Sequence, residues 1–107
     1  MAINRLPHLL ETTVAKQLIV DGKPFLMRAA ELQNSSLSSA EYMRKKWQKL
    51  KDMHINTILG SVSWDQIEPK EGNFDFTEID AVVDDARSIG MRLVLLWFGS
   101  FKNGMYK

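Results

Sequence analysis

The chain has 107 residues, a length that suits one small domain and excludes two. Apolar residues make up 45% and charged residues 25%, the composition of an ordinary globular protein. A formal net charge of +1 supplies no global field for nucleic acid or an anionic membrane, so neither is expected as a partner. The lack of cysteine excludes a disulfide framework and thiolate metal sites. His8 and His54 are too far apart for a ligand spacing, so no metal or cofactor is expected.

In chain order, residues 1–16 read as an N-terminal extension. Met1 to Thr13 carries one early Arg but no apolar core of about seven or more residues, so it is not a signal peptide as it stands. No stretch approaches the length of a membrane span. Gln17–Val20 and Pro24–Met27 flank Asp21-Gly22-Lys23, and Asp-Gly between apolar runs predicts a hairpin because both residues tolerate positive φ. Phe25 through Ala30 continues extended into the polar cluster Glu31-Leu32-Gln33-Asn34-Ser35-Ser36, a loop at a strand's C-terminal end.

Ser38-Ser39-Ala40-Glu41 fits a capping box and predicts one helix from Ser38 to about Met53, with Met43, Trp47 and Leu50 on its apolar side. Arg44, Lys45, Lys46, Lys49 and Lys51 fall on the same helix and read as its solvated face. Ile55–Val62 is the next strand. A Pro/Gly-punctuated acidic connection, Trp64 to Phe76, then leads into a helix striped by Ile79, Val82, Val83, Ala86 and Ile89. Asp75 or Thr77 can cap that helix, and Gly90 is placed for its left-handed terminal residue. Met91–Trp97 is a third strand, apolar enough to be covered on both faces of a parallel sheet.

The order β-α-β-α-β with short connections makes the three main strands parallel and adjacent. Ala30–Ser35 contains no Gly-rich phosphate fingerprint, which argues against a dinucleotide-binding sheet and for a (β/α)₈ barrel. Such a barrel needs about 250 residues. The expectation is therefore an α/β fold holding the first three strands of a truncated barrel over residues 17–107, preceded by a hairpin strand.

In a barrel the C-terminal strand ends carry function. That rule selects Glu31, Gln33 and Asn34 after the first strand. It selects Trp64 and Asp65 after the second, and Trp97, Phe98, Ser100, Lys102 and Asn103 after the third. Aromatic rings beside amides, hydroxyls, a carboxylate and an ammonium match a carbohydrate, whose C–H faces stack on rings while its hydroxyls need donors and acceptors. The competing structural readings are lid or core roles for Trp64 and Trp97, and a buried ion pair of Glu31 with Arg28 or Lys102.

At these residues the chain resembles a known family. Ala30–Ser36 followed by Ser38–Met43, and Leu95–Gly104, are similar to the β-galactosidase-like branch of family 35 glycoside hydrolases. Trp64-x-x-Ile67-Glu68-Pro69-x-Glu71-Gly72-x-Phe74-Asp75-Phe76 resembles a connection shared by families 35 and 42. Gln33 departs from the Gly or His expected of relatives. The resemblance implies a retaining glycosidase acting on terminal β-galactosides of oligo- or polysaccharides. Its acid/base and nucleophile would be two glutamates about 5–5.5 Å apart, borne on the fourth and seventh strands. Neither strand lies within the chain and there is no Asn-Glu pair, so no catalytic carboxylate is assigned and the chain alone is expected to be inactive. Glu68 and Glu71 are expected to act as helix and turn caps. Glu31, Asn34, Trp64, Trp97, Lys102 and Asn103 are the candidate substrate-binding residues. Relatives are often periplasmic or secreted, whereas this chain reads as cytoplasmic as it stands. Oligomeric state is not legible. The alternative is a stand-alone, non-catalytic carbohydrate-binding or interaction module.

Overall fold

In the computed structural model, which describes residues 6–99, two three-stranded sheets follow one another along the chain. The first is antiparallel: β1 (His8–Glu11), β2 (Lys16–Val20) and β3 (Lys23–Pro24), in that spatial order. The second is parallel, in the order β4 (Ala29–Glu31), β5 (Thr57–Val62) and β6 (Arg92–Trp97). Helices α1 (Ala40–Arg44), α2 (Trp47–Asp52), α3 (Trp64–Ile67) and α4 (Thr77–Ser88) lie in the connections between β4, β5 and β6. The result is a small mixed α/β domain.

Asp21 (φ 52°) and Gly22 (φ 77°) both take the left-handed conformation at the β2–β3 turn, which matches the twist of the strands it joins. The N-terminal element is nevertheless more than a hairpin strand. His8–Glu11 adds β1 alongside β2, with Leu9 opposite Leu18. All four β1 residues are exposed, so no face is buried and no alternation marked the strand in the sequence.

The single helix expected from Ser38 to Met53 is instead three pieces: a 3₁₀ turn at Ser36–Ser38, then α1, then α2. The N-cap is Ser39, whose hydroxyl accepts the Tyr42 N–H at 3.1 Å, while the Ser38 hydroxyl donates to the Ser35 carbonyl. Glu41 is therefore one position too early to complete a capping box. A partner far along the chain serves another of the unpaired donors of the first turn: the Ala40 N–H donates to the Glu78 carboxylate of α4 at 2.9 Å. Between α1 and α2 the Lys45 and Lys46 N–H groups bond to Tyr42 and Met43 carbonyls, a tighter i→i+3 pattern. The five basic residues remain solvated as expected.

Helix α4 follows its periodicity. Ile79, Val82 and Ala86 are buried, and Asp75 Oδ1 accepts the Thr77 N–H at 2.9 Å at its start. At its end Gly90 (φ 74°) donates to the Arg87 carbonyl and Met91 donates to that of Ala86. This double bond pattern turns the chain and drops Met91 into the core.

The core lies on one side of the parallel sheet, where Ile58 and Val62 of β5 pack with Leu37, Met43, Trp47, Ile79, Val82 and Ala86. Gly60 sits between them, and Leu37 fills the space a side chain would need. Strand β6 departs from the expectation of two covered faces. Among the described residues it pairs with β5 alone, and Val94 and Leu95 are 36% and 45% exposed.

Candidate functional site

The parallel register decides which strand-end side chains share a surface. Glu31 pairs with Leu59, and Leu59 with Val94, so these three stand in one row on the face away from the helices. Ser61 and Leu96 form the next row on that face. Val62 belongs to the helix-side core, and Trp97 is its register partner. Trp97 therefore leaves β6 on the helix side, opposite in sense to Glu31. Phe98, whose N–H continues the ladder by donating to the Val62 carbonyl at 2.9 Å, returns to the Glu31 side by strand alternation. Period-2 counting along Leu93–Phe98 was the available signal for separating Phe98 from Trp97.

Glu31 is exposed at the end of β4. Arg28 does not serve as its buried partner, because the Arg28 Nε–H donates to the His54 carbonyl at 2.9 Å. Asn34 is exposed, and its carbonyl accepts the hydroxyl of buried Ser61, which ties the β4 loop to β5. Lys102 and Asn103 lie outside the described residues.

Trp64 opens α3, and its N–H donates to the Gly99 carbonyl at 3.1 Å, fastening the connection after β5 to the one after β6. The Trp64 and Trp97 rings are 6.5 Å apart between centroids and tilted by 40°. They are 48% and 59% exposed, so neither is a core residue. The structure thus brings Trp64 and Trp97 together on one rim and places Glu31 on the other face of the sheet.

Asp65, Glu68 and Asp75 of this connection serve its architecture. Asp65 accepts the Ser63 hydroxyl, and Glu68 accepts both the Trp64 indole N–H at 2.7 Å and the Gly72 N–H at 3.0 Å. The Trp64 bond, then the Gly72 bond, hold the Glu68 carboxyl below the usual carboxylate range. The Thr77 hydroxyl and backbone N–H do the same for Asp75. Among the described residues no three His, Asp or Glu side chains converge as metal ligands, and no helix is long and apolar enough to cross a membrane.

A parallel α/β unit with a polar and aromatic C-terminal rim belongs to the class of scaffolds that carry ligand sites at their strand ends. The comparison with known families is more specific. The sequence model of glycoside hydrolase family 42, described as beta-galactosidase, matches residues 34–97, more than half of the chain. The chain belongs to this β-galactosidase family. A curated beta-galactosidase of Xanthomonas manihotis is 29% identical over 86 residues, which cover 78% of this chain and 14% of that protein. The chain therefore spans well under two thirds of the relative it matches. The match carries the β-galactosidase-like family as a whole and does not single out family 35.

Proposed function

We propose that this chain is the N-terminal part of a retaining glycoside hydrolase that acts on terminal β-galactosides, within the family 35-like branch of the β-galactosidase-like enzymes. The observation that carries the reading is the family match over residues 34–97, which coincides with the parallel β4-α-β5-α-β6 unit. That unit is the opening of a (β/α)₈ barrel, the fold the family implies. The outer edge of β6, unpaired among the described residues, supports this, as does a groove of about 460 Å³ beside it, lined by Val83, Ala86, Met91, Leu93 and Leu95 with Arg87 and Arg92. A fourth parallel strand would pair with β6, and its right-handed crossover helix would fill that groove. Glu31, Asn34, Trp64, Trp97, Lys102 and Asn103 then serve substrate binding, with Phe98 joining Glu31 on the barrel side. Both catalytic glutamates lie on later strands, and residues 1–107 are inactive alone.

The test is the reading frame beyond Lys107 and its product. An Asn-Glu pair is expected within about a hundred residues, the span of one or two further βα units with their loops. The protein bearing it is expected to release p-nitrophenol from p-nitrophenyl β-galactoside with retention at the anomeric carbon. A longer product that cleaves no β-galactoside, or cleaves it with inversion, refutes the reading.

A further inference from the structure

Glu68 stands outside the candidate substrate-binding set, yet its carboxylate holds the most prominent member of that set. A turn cap needs one carboxylate oxygen, and Oε2 supplies it to the Gly72 N–H at 3.0 Å, where Gly72 has φ 79°. The other oxygen, Oε1, accepts the Trp64 indole N–H at 2.7 Å, a bond the cap does not require. The Glu68 N–H also donates to the Trp64 carbonyl at 2.8 Å, so backbone and ring of Trp64 are both tied to the same residue. A charge-assisted bond of this kind fixes orientation as well as adding energy.

The tether sets a particular surface. Trp64 and Trp97 are splayed by 40° with centroids 6.5 Å apart, which makes a shallow apolar notch rather than a parallel stack. A notch of two indoles suits the C–H face of a puckered ring and would not sandwich a flat base. We propose that Glu68 is a positioning residue, holding the Trp64 indole beside Trp97 so that the pair receives the C–H face of a pyranose ring. This rests on the carbohydrate reading given above. The lowered pKa of Glu68 accords with it, since the ionised carboxylate is the form that accepts both bonds.

The test uses the whole chain and methyl β-galactoside as the probe, with tryptophan fluorescence reporting binding and the Trp64 indole N–H resonance reporting orientation. Saturable binding is expected for the native chain and its loss in Trp64→Ala. Glu68→Ala is expected to weaken binding about three- to tenfold, the worth of one hydrogen bond, and to move the indole resonance to that of a free tryptophan. Glu68→Gln keeps an acceptor oxygen for the indole and is expected to restore most of the affinity. A Glu68→Ala chain with native affinity, while Trp64→Ala binds nothing, overturns the positioning role and leaves the platform standing. No binding by the native chain, or none lost in Trp64→Ala, removes the platform and the proposal with it. If circular dichroism shows Glu68→Ala unfolded, Glu68→Gln decides: a displaced indole resonance with unchanged affinity overturns the proposal.

Discussion

Gly60→Ala is the sharpest probe of how the first βα unit is packed. Gly60 lies mid-strand on the helix side of β5, where a Cβ would stand 2.5 Å from Leu37 Cγ, 3.3 Å from its Cδ2, and nearer still to its Cδ1. Ordinary contact needs about 3.5–4 Å, so the Leu37 side chain must move by about 1 Å. It has little room, being fully buried in a 3₁₀ turn whose Ser36 and Ser38 N–H groups are bonded to the Gln33 and Ser35 carbonyls. Overpacking of this kind costs about 1–3 kcal/mol. Replacing Gly by Ala where φ is not positive restricts the unfolded chain and returns about 0.4–1 kcal/mol. Steric cost is the larger effect, and a net loss of up to about 2.6 kcal/mol is expected in urea denaturation of the whole chain. Leu37→Ala alone should cost about 2–5 kcal/mol. In that background Gly60→Ala should become neutral or mildly stabilising, because the clash has gone. A Gly60→Ala chain more stable than the native one, or a cost equal in both backgrounds, refutes the packing argument.

The remaining predictions concern the bottom of the sheet and the connection after β5. Asn56 accepts the Arg28 N–H at 2.8 Å and donates to the Leu26 carbonyl at 2.7 Å, so Asn56→Ala should cost about 1–3 kcal/mol and speed hydrogen exchange at Arg28; an unchanged exchange rate would contradict this. Asp21 and Arg92 pair at 2.6 Å with side chains about half exposed, so Asp21→Asn, which tolerates the same turn geometry, should change stability by less than about 1 kcal/mol; a larger loss would show the pair to be worth more than its exposure allows. Glu68 and Asp75 titrate below their ordinary 4.5 and 3.8, so folding favours their ionised forms. Their contribution is fully present above those ordinary values and is lost as pH falls through the lowered folded ones. The Trp64 indole resonance should therefore hold steady above pH 4.5 and shift only as the pH falls below that value, with no such shift in Glu68→Gln; a midpoint above 4.5 would refute the assignment.

Local pattern was enough wherever the determining contacts are local. The Asp21-Gly22 turn, the stripe Ile79–Val82–Ala86 and the Gly90 terminus all depend on backbone preferences and periods within one element. The parallel arrangement of β4, β5 and β6 followed from their spacing and from right-handed crossover. The motif Trp64–Phe76 marked the family, and the turn-capping role of Glu68 and the helix-start role of Asp75 were legible in it.

Only tertiary structure decided how those elements face one another. Strand β1 buries nothing, so no period announced it, and pairing with β2 alone defines it. The expected long helix is broken and capped at Ser39, and the carboxylate that meets its Ala40 N–H comes from Glu78, 38 residues away. Leu93–Trp97 of β6 read as one apolar run in the sequence, yet the register Val62↔Trp97 turned Trp97 to the helix side, while Glu31↔Leu59↔Val94 ran along the other. A one-residue difference in register reverses every side chain of a strand. No run of neighbouring residues encodes that register. It follows from which distant apolar faces can be buried together, and it is what placed Trp64 beside Trp97 and both apart from Glu31.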